Sequence, residues 1–195
     1  MAKQLRAALI AFVLLTVITG VIYPLLITVV GQIFFPYQAN GSLIVQNGAV
    51  LGSALIGQVT DDPAYFWWRP SAVNAMQGAS PEALIASGAT NYGWTSAELA
   101  EQVAEREAVI RSAHDLSDEM AIPADILFAS ASGLDPHISP EAAALQIDRV
   151  AGARGLDRDR VERLVTQYTE SRQFGVLGEA RVNVLLLNLA LADIE

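Results

Sequence analysis

Residues 7–30, AALIAFVLLTVITGVIYPLLITVV, run for 24 positions without a charged side chain. As a helix this stretch is about 36 Å long, enough to cross a hydrocarbon core of roughly 30 Å with modest tilt. No other feature restricts the fold as strongly. A segment in lipid must satisfy its own backbone hydrogen bonds, and a lone segment does so only as a helix. A cleaved export signal has an apolar core of only about 7–15 residues followed by a small-residue cleavage site. Here the run passes into GQIFFPYQAN without such a site. The sequence therefore predicts a retained single-pass anchor over residues 7–30.

Charge around the anchor sets its expected direction. Lys3 and Arg6 precede it, and no further charged residue occurs before Asp61. Positive flanks stay on the cytoplasmic side, so residues 1–6 are expected inside and residues 31–195 outside. Phe34, Phe35 and Tyr37 suit an aromatic exit from the bilayer, while Gly20 and Pro24 allow close helix contact and a bend. Thr16, Thr19 and Thr28 can bond a partner helix or their own backbone.

Beyond residue 30 stand all 21 acidic groups and ten of the twelve Lys and Arg, a formal −11. That balance, with no basic stripe, argues against a nucleic-acid partner. The chain has no cysteine, which excludes disulfides, thiolate nucleophiles and thiolate-bound metals.

The expected fold is α+β, with one mixed extracytoplasmic domain over residues 31–195 after the anchor. Asn47-Gly48 marks a hairpin within GSLIVQNGAVLGSALIGQV. AYFWWRPSA, residues 64–72, reads as a core or corner strand ended by Pro70, with an aromatic anchor at a protein or membrane interface as the rival. Thr95 and Glu98 form a capping box ahead of a helix whose inner side is Leu99, Val103, Ile110 and Ala113. Glu107 and Arg111 are spaced to pair. A further helix begins at Asp157, with Leu156 and Val161 as a staple and Val161, Leu164, Val165 and Tyr168 as its apolar side. RVNVLLLNLAL reads as a buried strand or a strand-to-helix corner, interrupted by Asn183 and Asn188.

One stretch, ASGLDPHISPEAAALQIDRVAGAR at 131–154, resembles chemistry. It holds Asp135, His137, Ser132 and Ser139, and Ser130 lies just before it. A local reading explains it fully. Gly133 permits a turn, Asp135 caps it, Ser139 is an N-cap, Pro140 takes the first helical position and Glu141 suits the positive helix end. A metal site would need more ligands than Asp135 and His137, and His114 is the only other histidine. Neither a nucleophile elbow nor a phosphate loop is present. Asp135 and His137 are therefore expected to shape a turn or face a partner, with no catalytic and no metal-binding residue assigned.

Several blocks together carry a resemblance: TGVIYPLL and FFPYQANGSL, GSALIGQ at 52–58, YF..RPSA at 65–72, SGATNYG at 87–93, ASASGLDPHISPEAA at 129–143, Q.DRVAGAR at 146–154 and VNVLLLNLAL at 182–191. In this order the chain resembles the C-subunit family of the bacterial high-affinity potassium-transporting P-type ATPase, the Kdp complex. The family usually carries less bulky residues where Trp67 and Trp68 stand. The resemblance implies a non-catalytic accessory subunit of the inner membrane that supports assembly and tunes ATP use. Its implied partners are a potassium-selective pore-like subunit, a P-type ATP-hydrolysing subunit, a very small membrane subunit and the surrounding lipid. ATP enters by resemblance only: the alternative is an ATP-binding catalytic chaperone that raises nucleotide affinity, with Gln58 as an offered contact. A membrane-anchored exported hydrolase is the distant third reading.

Overall fold

The apolar run of the sequence is the middle of one long helix. In the computed structural model, which describes residues 1–73 and 86–194, α1 extends over Ala2–Phe34. The helix runs past residues 7–30 at both ends, because AKQLR favours a helix and the single Gly31 of GQIF does not end one. One wider, π-helical turn at Ile18–Ile22 precedes Pro24. Proline has no N–H to offer the preceding turn, and the widened turn absorbs that loss. Thr19 and Thr28 donate their hydroxyls to Leu15 O and Pro24 O at 2.7 and 2.8 Å, so both bond their own helix.

Contacts within the chain divide it into Met1–Ser53 and Ala54–Glu195. In the first unit α1 stops at Phe35, which leaves helical geometry, and a short α2 follows at Pro36–Ala39. Strands β1 (Leu43–Gln46) and β2 (Ala49–Ser53) then form the expected antiparallel hairpin around Asn47-Gly48.

The second unit holds helices on a small antiparallel sheet. Its elements are α3 (Ala97–Ala113), β3 (His137–Ile138), α4 (Pro140–Arg154), α5 (Arg158–Gln167), β4 (Thr169–Glu170), β5 (Arg181–Asn183) and α6 (Val184–Ala192). The strand order is β3-β5-β4. The core lies where α4 presents Ala142, Ala143, Ile147 and Val150 to Val161 and Val165 of α5, Val182 of β5 and Leu187 and Leu191 of α6. This α+β arrangement agrees with the sequence reading. So do the Asp157 cap of α5, the Glu107–Arg111 pair at 2.7 Å and the strand-to-helix corner at Asn183.

Two local expectations are corrected. The cap of α3 is Ser96, not Thr95: its hydroxyl accepts from Leu99 N–H and donates to Glu98 at 2.7 Å. Starting the helix one residue later still leaves Ile110 buried and Leu99, Val103 and Ala113 half-buried along one side. AYFWWRPSA, in turn, belongs to no strand. Its backbone is bonded by side chains instead of by a neighbouring strand.

Candidate functional site

The bonding of that aromatic segment defines the centre of the domain. Phe66, wholly buried, donates its N–H to Asn188 Oδ1 at 2.8 Å and accepts from Asn188 Nδ2 at 2.9 Å. Trp67 does the same with Gln146, through Oε1 at 2.7 Å and Nε2 at 3.2 Å. Each amide side chain thus imitates the edge of a strand toward one of two successive residues. Asn188 of α6 and Gln146 of α4 thus hold two successive residues of the segment.

Arg149, one turn along α4 from Gln146, adds a third hold. It donates to Pro63 O at 2.6 Å, Tyr65 O at 3.1 Å and Gln146 Oε1 at 2.7 Å, and its guanidinium lies 4.1 Å from the centre of the Trp67 ring. Burial draws the Arg149 pKa down to about 10, so the group stays a cation under physiological conditions. Its Nε donates to His114 Nε2 at 3.1 Å, while His114 Nδ1 bonds Ile110 O at 2.9 Å. Accepting from a cation requires a neutral imidazole. Burial and the Arg149 charge both lower the His114 pKa, against the pull of the Ile110 carbonyl.

The segment then leads to Arg69, which meets the residues singled out in the sequence. Arg69 Nη1 lies 2.7 Å from Asp135 Oδ2, and Asp135 Oδ1 accepts the His137 N–H at 3.0 Å. The His137 imidazole stands beside the same oxygen, Nδ1 at 3.5 Å. Burial alone would raise the Asp135 carboxyl, but bonds from His137 and Arg69 outweigh it and hold the pKa at about 2. Asp135 and His137 are therefore brought together on a capped turn, with a partner, Arg69, that lies 66 residues away in sequence. No sequence signal pointed to that arginine.

The three serines are engaged locally. Ser130 Oγ accepts from Gly133 N–H at 2.8 Å and Ser132 Oγ from Leu134 N–H at 3.1 Å. Ser139 caps α4 through Ala142 N–H at 3.0 Å, and itself donates N–H and Oγ to Asp125. That carboxylate answers the positive end of α4, one more partner the sequence did not reveal. His114 sits with Arg149 and Trp67, not with Asp135. Among the described residues no group of three His, Cys, Asp or Glu is placed to hold a metal ion. Gln58 is exposed after β2, beside Gly57, whose N–H donates to Leu134 O at 2.9 Å.

Next to this corner lies an open cleft of about 870 Å³, walled by Arg69, Asp125, Asp135, His137, Ser139 and Glu141 among others. Of its charged groups, Arg69 faces Asp135, Asp125 faces the α4 cap and Arg181 pairs with Glu170, while Ala121, Ile122, Pro123, Ala124, Ile138 and Ala180 make much of the rest of the wall apolar. A wall of paired charges around apolar side chains suits a protein surface better than a charged small ligand.

The Arg69–Asp135 pair gives a measurable pH signature. Asp135→Asn keeps an acceptor for the His137 N–H and removes the charge. It should cost about 1–2 kcal/mol at neutral pH, a figure discounted for the quarter of each side chain that reaches solvent. The folded-state pKa is depressed, so the contribution is complete above pH 3.8 and is lost as pH falls through about 2. Denaturation curves of wild type and variant should converge over that window; a gap that ignores pH would assign the loss to something other than this charge.

A sequence model of the family described as "KdpC: K+-transporting ATPase, c chain" matches residues 5–193. The chain is 53% identical over 190 residues to the potassium-transporting ATPase KdpC subunit of Herpetosiphon aurantiacus, covering 97% of this chain and 96% of that protein. It is 54% identical over 192 residues to the subunit of the same name from Burkholderia orbicola, at 98% and 96% coverage. With that of Dechloromonas aromatica it shares 50% over 195 residues, 100% of each.

Proposed function

This chain belongs to the KdpC family of K+-transporting ATPase c chains, and from that membership we propose that it works from outside the membrane by holding its partners. It is a non-catalytic accessory subunit of an ATP-driven potassium-import complex, carried in the inner membrane by one helix. The observation that carries the reading is the match along nearly the whole chain, anchor and domain together. In the proposed arrangement residues 1–6 are cytoplasmic, residues 7–30 cross the bilayer and residues 31–195 lie outside. The lone positive flank, Lys3 and Arg6, supports that direction.

The partners are a pore-like potassium-selective subunit, the ATP-hydrolysing subunit and a very small membrane subunit. Without turnover of its own, the subunit acts by favouring one conformational state of those partners over another. The internally paired Arg69–Asp135 corner and the rigidly held aromatic segment support a docking role. An outward formal −11 also attracts cations weakly, over a range of about 8–10 Å set by salt.

Reporter fusions after residue 35 and at residue 195 test the arrangement. Both are expected to report the outside. A cytoplasmic reporter at residue 195 would overturn it and favour the rival reading, in which the subunit contacts ATP directly.

A further inference from the structure

Two tight turns share nearly the same φ pair, although the first loop has two residues between its paired ends and the second has three. Between β1 and β2, Asn47 and Gly48 take φ of 54° and 80°; in the arm joining β4 to β5, Phe174 and Gly175 take 54° and 76°. Asn-Gly is what that geometry favours. A bulky aromatic in the left-handed region is an outlier, because its Cβ crowds the following carbonyl. Phe174 nevertheless stands first in its loop at the same positive φ as Asn47. The residue is 91% exposed, and Val176 and Leu177 beside it are 73% and 55% exposed. Among the described residues, neither the turn nor the core benefits from that ring. Its apolar surface becomes useful only against something outside the chain.

The arm that carries the ring is ordered in advance. Gln173 and Leu177 exchange N–H to carbonyl bonds, both at 2.9 Å, and Gly175 N–H donates to Arg172 O at 3.0 Å. Behind the tip Arg172 pairs with Glu179, and Arg181 with Glu170 at 2.8 Å. Residues 173–178 therefore form an uncharged apolar point ringed by neutralised charges, in a region of formal −11. An apolar centre inside a polar rim is the pattern of a protein–protein anchor, and prior ordering lowers the entropy lost on docking. Lipid headgroups fit less well. Both arginines of the arm already face carboxylates, and residues 169–183 contain no Lys, Trp or Tyr.

We infer that the Phe174 tip inserts into an uncharged, apolar-walled pocket on another subunit of the transport complex, an inference that rests on the accessory-subunit reading above. Phe174→Asn installs the residue that the first hairpin uses. The full-length variant in detergent should melt no lower than wild type, since the strain at this turn falls. Co-expressed with the hydrolysing and pore-like subunits and purified through a tag on this chain, it should retain them at least about ten-fold more weakly. Wild-type retention by Phe174→Asn overturns the inference. A wild-type chain that retains neither subunit overturns the accessory-subunit reading instead.

A second measurement separates protein from lipid and does not depend on that variant folding. The chain has no cysteine, so Val176→Cys takes a single environment-sensitive fluorophore. Its emission should stay solvent-like in phosphatidylethanolamine–phosphatidylglycerol nanodiscs holding this chain alone, and shift to the blue in the assembled complex. A blue shift in the nanodiscs alone gives the tip to the bilayer, and no shift in either leaves it in solvent; both results overturn the inference.

Discussion

Asn188→Leu should destabilise the folded domain by about 3–5 kcal/mol, although the two side chains differ little in size and leucine is the better helix former. The reason is the backbone of Phe66. Its N–H and carbonyl are both buried and both bonded to the one amide of Asn188, at 2.8 and 2.9 Å. Leucine fills the space, excludes water and leaves two orphaned polar groups, each costing about 1–3 kcal/mol. The loss would be read from thermal or urea denaturation of the full-length chain. A loss below about 1 kcal/mol would show that Phe66 finds other partners, and the strand-like grip of α6 would then not organise the segment. The functional consequence follows from continuity. Phe66 is three residues from Arg69, so loosening the grip also loosens the arginine that meets Asp135.

Those long-range bonds mark the limit of what the sequence disclosed. Asn188 and Asn183 stood out in RVNVLLLNLAL only as interruptions of an apolar run. In the fold both are positive features: Asn183 caps α6 through Leu186 N–H and donates to Ala54 O at 2.7 Å, and Asn188 holds Phe66 from 122 residues away. A periodic pattern identifies a buried helix face but is silent about which backbone a buried amide will meet. The same holds for Gln146 with Trp67 and for Arg69 with Asp135. AYFWWRPSA reads as a strand because its composition suits an extended, half-buried segment; it is half-buried, but its backbone is bonded by the side chains of Asn188 and Gln146 and joins no ladder.

Local signals fared better because their physics is local. Twenty-four uncharged residues admit one structure in lipid. The Ser139-Pro140 junction combines a side-chain cap with a fixed φ and starts a helix wherever it is placed. At the head of α3, Thr95 and Ser96 are both competent caps, and local chemistry could not choose between neighbours. The choice is visible only where Ser96 bonds both Leu99 N–H and Glu98. The Asp135–His137 turn belongs to the legible class, and its arginine does not. A sequence can thus show that a corner is shaped without showing what the shape is for.

Gly133→Ala should remove about 3–4 kcal/mol of stability and, with it, the pH signature of Asp135. Gly133 sits at φ +69°, where a side chain costs about 1–2 kcal/mol before any contact is counted. An added Cβ would also lie 2.6 Å from the Gly88 carbonyl oxygen and 3.0 Å from a methyl of Val73. The carbonyl cannot retreat cheaply: Gly88 N–H donates to Ser132 O, and Ser71 Oγ donates to Gly133 O at 2.6 Å, so this turn is tied on both sides. The clash must then be relieved along the chain, through Leu134 into Asp135, which draws the carboxylate off Arg69. Gly152→Ala, inside α4 with nothing within 4 Å of the new methyl, is the control and should stabilise by about 0.5–1 kcal/mol. Opposite signs for one chemical change would separate a glycine required by its turn from one merely present in a helix. If Gly133→Ala lost stability yet kept the wild-type response between pH 3.8 and about 2, the turn would be rigid for folding alone and not for the placement of Asp135.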